Sequence, residues 1–125
     1  MKAPPPAQMG PGLLGKYGER LALRYLYGQG FDILERNFRC RLGEIDLIAY
    51  DGPCLVFIEV KARSSPEIVP AAEVLEEVQK GRIQRAAAYY RNSRRLENVD
   101  YRFDLVAIDL RPGTLPDLQL HRNAF

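Results

Sequence analysis

The sequence predicts an α/β fold: a mixed β-sheet flanked by helices, in the approximate order αββαββ. Three observations carry this reading. Leu14, Tyr17, Leu21 and Tyr25 recur at three- and four-residue spacing, the period of one helix face. Residues 43–50 and 55–63 carry strand patterns and are separated by the turn-forming Asp51-Gly52-Pro53-Cys54. A second helical stripe then precedes another alternating run, and interspersed helices and hairpins pack as helices on a sheet. A chain of 125 residues has room for one continuous core and not two.

Taken in order, residues 1–12 are rich in Pro, Gly and Ala and read as a disordered head with no apolar core for a signal peptide. The domain proper is expected over residues 13–125, beginning with a helix over 13–27. Gly28 and Gly30 suit its end, because glycine accepts the left-handed conformation that helix termini favour. Residues 31–34 form a short apolar entry to the sheet, and the two strands of the hairpin follow. Residues 64–70 read as a loop. A helix is predicted from 71 to 92 on the stripe Val74, Val78, Ile83, Ala86, Ala87 and Tyr90, with Gly81 interrupting it. Residues 99–110 alternate as a third strand, Arg111-Pro112-Gly113 turns the chain, and Leu118 with Leu120 marks a short last strand.

The formal net charge is only +2, so the distribution of charge says more than its total. Lys80, Arg82, Arg85, Arg91, Arg94 and Arg95 form a run with no acidic residue inside it, preceded by Glu67, Glu73, Glu76 and Glu77. Such segregation suggests one positive face. Arginine outnumbers lysine 14 to 4, and the planar guanidinium is the better phosphate clamp. Contact with nucleic-acid phosphates is one reading of the run, and a solvated helix face is the plain alternative. Cys40 and Cys54 make neither a disulfide framework nor a zinc site. No stretch reaches the roughly 18 apolar residues of a membrane span. A cytoplasmic, reduced protein is the expectation.

The chemistry concentrates on the hairpin. In Gly43-Glu44-Ile45-Asp46-Leu47-Ile48, Glu44 and Asp46 share a face. In Val56-Phe57-Ile58-Glu59-Val60-Lys61-Ala62-Arg63, Glu59, Lys61 and Arg63 share one, while Val56, Ile58, Val60 and Ala62 face a core. A four-residue loop makes Tyr50 face Leu55, which sets Asp46 opposite Glu59 and Glu44 opposite Lys61. A register shift from a shorter loop sets Asp46 opposite Phe57, with Glu59 on the diagonal. Directly opposed Cβ atoms lie only about 4.5–5.5 Å apart, where two carboxylates repel unless a cation sits between them. Mg²⁺ suits that place, taking one or two carboxylates together with water and substrate phosphate. Asp46 and Glu59 would then bind the metal. Lys61, an ammonium beside two carboxylates, is an orienting and charge-stabilising group rather than an unaided base.

This combination resembles the PD-(D/E)xK nuclease superfamily, in which an Asp and a (D/E)xK triplet sit on adjacent strands of a mixed sheet. More narrowly, the chain resembles the YraN family of bacterial proteins. The likeness rests on Gly15-Lys16-Tyr17-Gly18-Glu19 with Ala22, on Asn37, and on the two hairpin strands. Gln79 with Ala86, Arg102-Phe103-Asp104-Leu105-Val106 and Asn123-Ala124-Phe125 complete it. The resemblance implies a restriction-endonuclease-like fold, shared with archaeal Holliday-junction resolvases. It assigns Asp46, Glu59 and Lys61 to the catalytic core and Glu19 to the metal, as the first-helix glutamate of the resolvase branch. Gln79 matches a polar residue that some relatives point at the site, and Glu44 joins it as a supporting group. Two departures stand out: Val78 replaces a usual lysine, and Ile68-Val69-Pro70 replaces a Phe-Gly-type segment.

The function expected is therefore a Mg²⁺- or Mn²⁺-dependent nuclease acting on DNA, including branched or structured DNA. A non-catalytic nucleic-acid-binding module that retains the fold is the alternative. A homodimer is expected by analogy with the resolvases, and no membrane partner is expected.

Overall fold

The structure, a computed structural model, describes residues 9–64 and 75–125. The expected disordered head falls largely outside these residues, as do most of the 64–70 loop, the Ile68-Val69-Pro70 departure and the start predicted for the second helix. The element order is α1 (Pro11–Gly28), β1 (Asp32–Cys40), β2 (Gly43–Asp51), β3 (Cys54–Arg63), α2 (Glu77–Ser93), β4 (Tyr101–Asp109) and β5 (Asp117–His121). All five strands form one mixed sheet in sequential order, with β3 and β4 parallel and the other pairs antiparallel. The fold class is the one predicted. The correction is β1, a nine-residue strand where the sequence suggested a short entry. None of its side chains is fully buried, so it lacks the clean apolar alternation that reveals a strand.

The helices take opposite faces of the sheet. Ala22 and Leu26 of α1 pack on Leu47, Val56, Ile58 and Val106. Ile83, Ala86, Ala87 and Tyr90 of α2 pack on Ile45, Ile48, Leu55 and Phe57. The central strand β3 is thus buried on both sides, which explains its unbroken apolar run from Leu55 to Ile58. Gly81 does not break α2, which continues through it.

Pro11 stands in the first turn of α1, where its missing N–H costs nothing. At the other end the Phe31 and Gly30 amides donate to the Leu26 and Tyr27 carbonyls, with Gly30 at φ +88°. That is a Schellman cap, and of the two glycines proposed as terminators it assigns the role to Gly30. Earlier in α1, a Cβ on Gly18 would stand 2.9 Å from Ala62 Cβ on β3. The missing side chain therefore brings the helix close to the sheet beside Glu19.

The far end of the sheet is held by a buried ionic network. Asp104 is fully buried, and Arg102 Nε lies 3.0 Å from both of its oxygens. Arg102 Nη2 reaches Asp51 Oδ2 at 2.7 Å, tying β4 to β2 across β3. The Asn123 amide donates to Asp104 Oδ1 at 3.1 Å, the Ala124 amide donates to the Phe103 carbonyl, and the Phe125 ring lies 5.1 Å from that of Phe103. The Arg102-Phe103-Asp104 and Asn123-Ala124-Phe125 motifs are thus two halves of one latch.

Candidate functional site

The β2–β3 ladder begins at Asp51↔Cys54 and keeps the expected register as far as Leu47↔Ile58. The turn itself is shorter than the four-residue loop, with Gly52 and Pro53 between the paired ends, yet Tyr50 still faces Leu55. Beyond Leu47 the two strands part. Asp46 Oδ2 then accepts a hydrogen bond from the Val60 amide at 2.9 Å, doing the work of a backbone acceptor. On the other side of β2, the β1 ladder pairs Arg36↔Leu47 and Phe38↔Ile45 and passes over Asn37 and Asp46. Asn37 is left-handed at φ +53°, a conformation asparagine tolerates better than most residues. Ile45 and Ile48, three apart, consequently lie in the same cluster under α2. The interruption of strict alternation turns the Asp46 carboxylate toward β3.

Glu59 meets it there, with only 7% of its surface exposed. Gln79 Nε2 donates to Glu59 Oε1 at 3.2 Å, and Lys61 Nζ stands 3.7 Å from the same oxygen. The structure thus brings Asp46, Glu59, Lys61 and Gln79 together. Glu44 is not opposite Lys61: it pairs with Arg39 of β1, at 3.6 Å. The strands have separated before the Glu44 position is reached, so the pairing extrapolated from the turn no longer applies. Glu19 stands near enough on α1 for Asp46 to raise its pKa, burial being the larger cause, while a hydrogen bond with the Asn37 side chain opposes the rise. Among the described residues no three His, Cys, Asp or Glu side chains form a ready-made metal cage. What exists is the buried Glu59 carboxylate beside the partly buried Asp46 one, an all-oxygen donor set of the kind Mg²⁺ accepts with water and phosphate completing its shell.

Without a cation, the pair cannot carry two charges comfortably. Burial, then the charge of Asp46, then a hydrogen bond to Asp46 push Glu59 up to about 9 from an ordinary 4.5. Asp46 is raised too, by burial first, although the Val60 amide and Glu59 both donate to its carboxylate and oppose the rise. Raised that far, Glu59 keeps its proton at neutral pH. Between the unfolded and folded pKa values the folded chain binds more protons than the unfolded chain, so its stability falls as pH rises. Urea-unfolding midpoints of the metal-free protein are expected to drop between about pH 5 and about pH 8. Glu59→Gln is expected to flatten much of that slope. An equally steep slope in the variant would assign the pH dependence to other groups.

The site opens into a cleft of about 690 Å³ lined by Asp46, Glu59, Gln79, Arg39, Arg41 and Arg82 among others. The hairpin β1–β2 forms one wall and α2 the other. They meet closely at Gly43, where a Cβ would come within 2.7 Å of the Arg82 carbonyl oxygen. Of the six basic residues singled out in sequence, Arg82 is the one that lines this cleft. Lys80 pairs with Glu77 at 3.0 Å, and the guanidinium of Arg85 folds back over Gly81. Arg91 donates to the Glu97 carbonyl at 3.0 Å and lies 3.8 Å over the Tyr101 ring. Arg94 stands 3.4 Å from Glu35 and 4.1 Å over Tyr90. Arg95 is exposed beyond the end of α2, at φ +56°. Arg91 and Arg94 thus have structural partners, while Arg39 and Arg41, which sequence reading missed, take their place at the site. Recognising the whole of β1 would have found them, since they then flank a tight hairpin next to Glu44.

A model of the family described as Uncharacterised protein family UPF0102 matches residues 18–108, a span that contains Glu19, Asp46, Glu59, Lys61 and Gln79. The chain belongs to the UPF0102 family. This is the YraN family whose motifs the sequence resembles. A UPF0102 protein of Syntrophus aciditrophicus is 46% identical over 99 residues, covering 78% of this chain and 77% of its own. One from Caldicellulosiruptor saccharolyticus is 38% identical over 113 residues, covering 90% and 96%. One from a Nocardioides species is 46% identical over 99 residues, covering 79% of each. Within this UPF0102 chain, no helix among the described residues is long and apolar enough to cross a membrane.

Proposed function

We propose that the cleft is the active site of a Mg²⁺- or Mn²⁺-dependent nuclease that hydrolyses phosphodiester bonds in DNA, branched or structured DNA included. The observation that carries this reading is the parting of β2 and β3, which sets the partly buried Asp46 carboxylate against the buried Glu59 under a rim of arginines. Two adjacent carboxylates, one kept protonated by burial and by the charge of the other, form a site that a hard cation relieves. Asp46 and Glu59 would hold a divalent ion, which would supply a water of lowered pKa and neutralise phosphate charge. The chain's own groups do the rest. The Val60 amide fixes Asp46, and Gln79 and Lys61 fix Glu59, so neither carboxylate has to be ordered when substrate arrives. The Lys61 ammonium orients the attacking water and faces the charge that builds on phosphorus. Arg39, Arg41 and Arg82 clamp the flanking phosphates.

A non-catalytic nucleic-acid-binding module is the second reading. It is favoured by Val78, an exposed apolar residue beside Gln79 where the resembled family carries a lysine. Cleavage of labelled duplex, single-stranded, flap and four-way-junction DNA with Mg²⁺ or Mn²⁺ separates the two. The expected result is metal-dependent scission abolished by chelation. Junction binding without scission of any substrate would establish the module instead. A homodimer, presenting two clefts to two strands, accompanies the nuclease reading, and sedimentation at micromolar concentration tests it.

A further inference from the structure

We propose that the cleft continues into a pocket for an unpaired nucleotide, so that the protein engages DNA with a base out of its stack beside the scissile phosphate. The inference rests on the nuclease reading for its position and on a separate depression for its chemistry. That second depression, about 400 Å³, lies between the same hairpin and the C-terminal half of α2. It shares Arg39, Cys40, Arg41 and Leu42 with the first, so the hairpin end is a common wall. Its apolar surface comes from Phe38, Leu42 and Tyr89, and its polar rim from Arg39, Arg41 and the Glu35-paired Arg94; among the described residues no carboxylate lines it. The first cleft, by contrast, holds Asp46, Glu59 and Glu44.

Composition distinguishes the two depressions. An arginine-rimmed cleft with carboxylates suits a phosphate and its cation. An aromatic and aliphatic pocket with a guanidinium rim suits a base plane and the next phosphate, the combination by which proteins hold single strands. Tyr89 is 49% exposed and Leu42 is 42% exposed, an open ring and an open aliphatic side chain on facing elements. Neither is needed to fill the core. Arg82 and Tyr89 are seven residues apart on α2, two turns, so they occupy the same flank about 10 Å apart along the axis. A strand with one phosphate at Asp46 and Glu59 runs along that flank and brings a neighbouring nucleotide to Tyr89. A base still paired in a duplex keeps its faces covered and cannot stack on the ring. The pocket therefore selects frayed, flapped or junction DNA over continuous duplex.

The test uses the full chain and DNA of equal length, with Ca²⁺ replacing Mg²⁺ to hold substrate uncut. One probe is a single strand carrying 2-aminopurine, and the other is a perfect duplex. The wild type is expected to bind the single strand more tightly and to alter the fluorescence of the reporter base. Tyr89→Ala is expected to weaken single-strand binding roughly tenfold, to leave duplex binding within about twofold, and to abolish the fluorescence change. Tyr89→Phe is expected to retain all three. Thermal melting is expected to be unchanged in both variants, since the ring is half exposed. Equal loss of both probes in Tyr89→Ala, no loss of either, or a wild-type preference for duplex would overturn the pocket. Metal-dependent cleavage, with binding of single strand and duplex both indifferent to Tyr89, would leave the nuclease reading standing without it. Tyr89-dependent strand binding by a protein that cuts nothing would do the reverse.

Discussion

Lys61→Ala is expected to lower single-turnover cleavage by roughly 10²–10³-fold, the usual loss when one electrostatic stabiliser of a transition state is removed. Glu59→Ala is expected to cost at least as much, because it takes away a carboxylate of the pair as well as the anchor for Lys61 and Gln79. Gln79→Ala acts only by releasing Glu59, so its loss is expected to be smaller, about 10–100-fold. Glu44→Ala is expected to be nearly neutral, since that carboxylate is exposed and faces Arg39. The order of the four rates is the diagnostic. Unfolding would not reproduce it, because Glu59→Ala removes a buried acid whose charge opposes folding and so is expected to keep or raise the melting temperature. Rates that fail to separate Glu44→Ala from Lys61→Ala would remove the functional basis for the site as drawn.

The second large effect lies away from the cleft. Asp104→Ala is expected to destabilise the fold by about 3–5 kcal/mol, measured by urea unfolding. The substitution leaves Arg102, with a side chain only 14% exposed, without one of its two close carboxylate partners, Asp51 being the other. It also frees the Asn123 amide that ties the final residues against β4. Burial draws the Asp104 pKa upward, and the Asn123 amide and Arg102 guanidinium oppose it. The network's attraction therefore offsets a desolvation cost, and replacing both partners should be cheaper than replacing one. Arg102→Met combined with Asp104→Leu is expected to lose less than Asp104→Ala alone. A double variant at least as unstable as the single one would mean that the latch contributes through more than charge pairing.

These two predictions fall on opposite sides of what can be read before folding. Helix α1 and strands β2, β3 and β4 were legible because apolar spacing reports burial, and burial on one or two faces is what those elements share. The register between β2 and β3 was legible for a local reason, since the Asp51-Gly52-Pro53-Cys54 turn pairs its neighbours. Asp46, Glu59 and Lys61 followed from that register and from alternation. The hidden half was β1: none of its side chains is fully buried, and Asn37 interrupts its pleat. With β1 hidden, Arg39 and Arg41 could not be placed, and the helix arginines stood in for them.

The sequence by itself determined the fold class and the meeting of Asp46 with Glu59, because both depend on periodicity and on one short turn. Tertiary structure decided how they meet. The parting of the strands at Leu47, the Val60 amide on Asp46, the Gln79 contact and the diversion of Arg91 and Arg94 to aromatic rings all join residues far apart along the chain. No local pattern specifies such contacts, because each depends on where the packing of α1 and α2 leaves room.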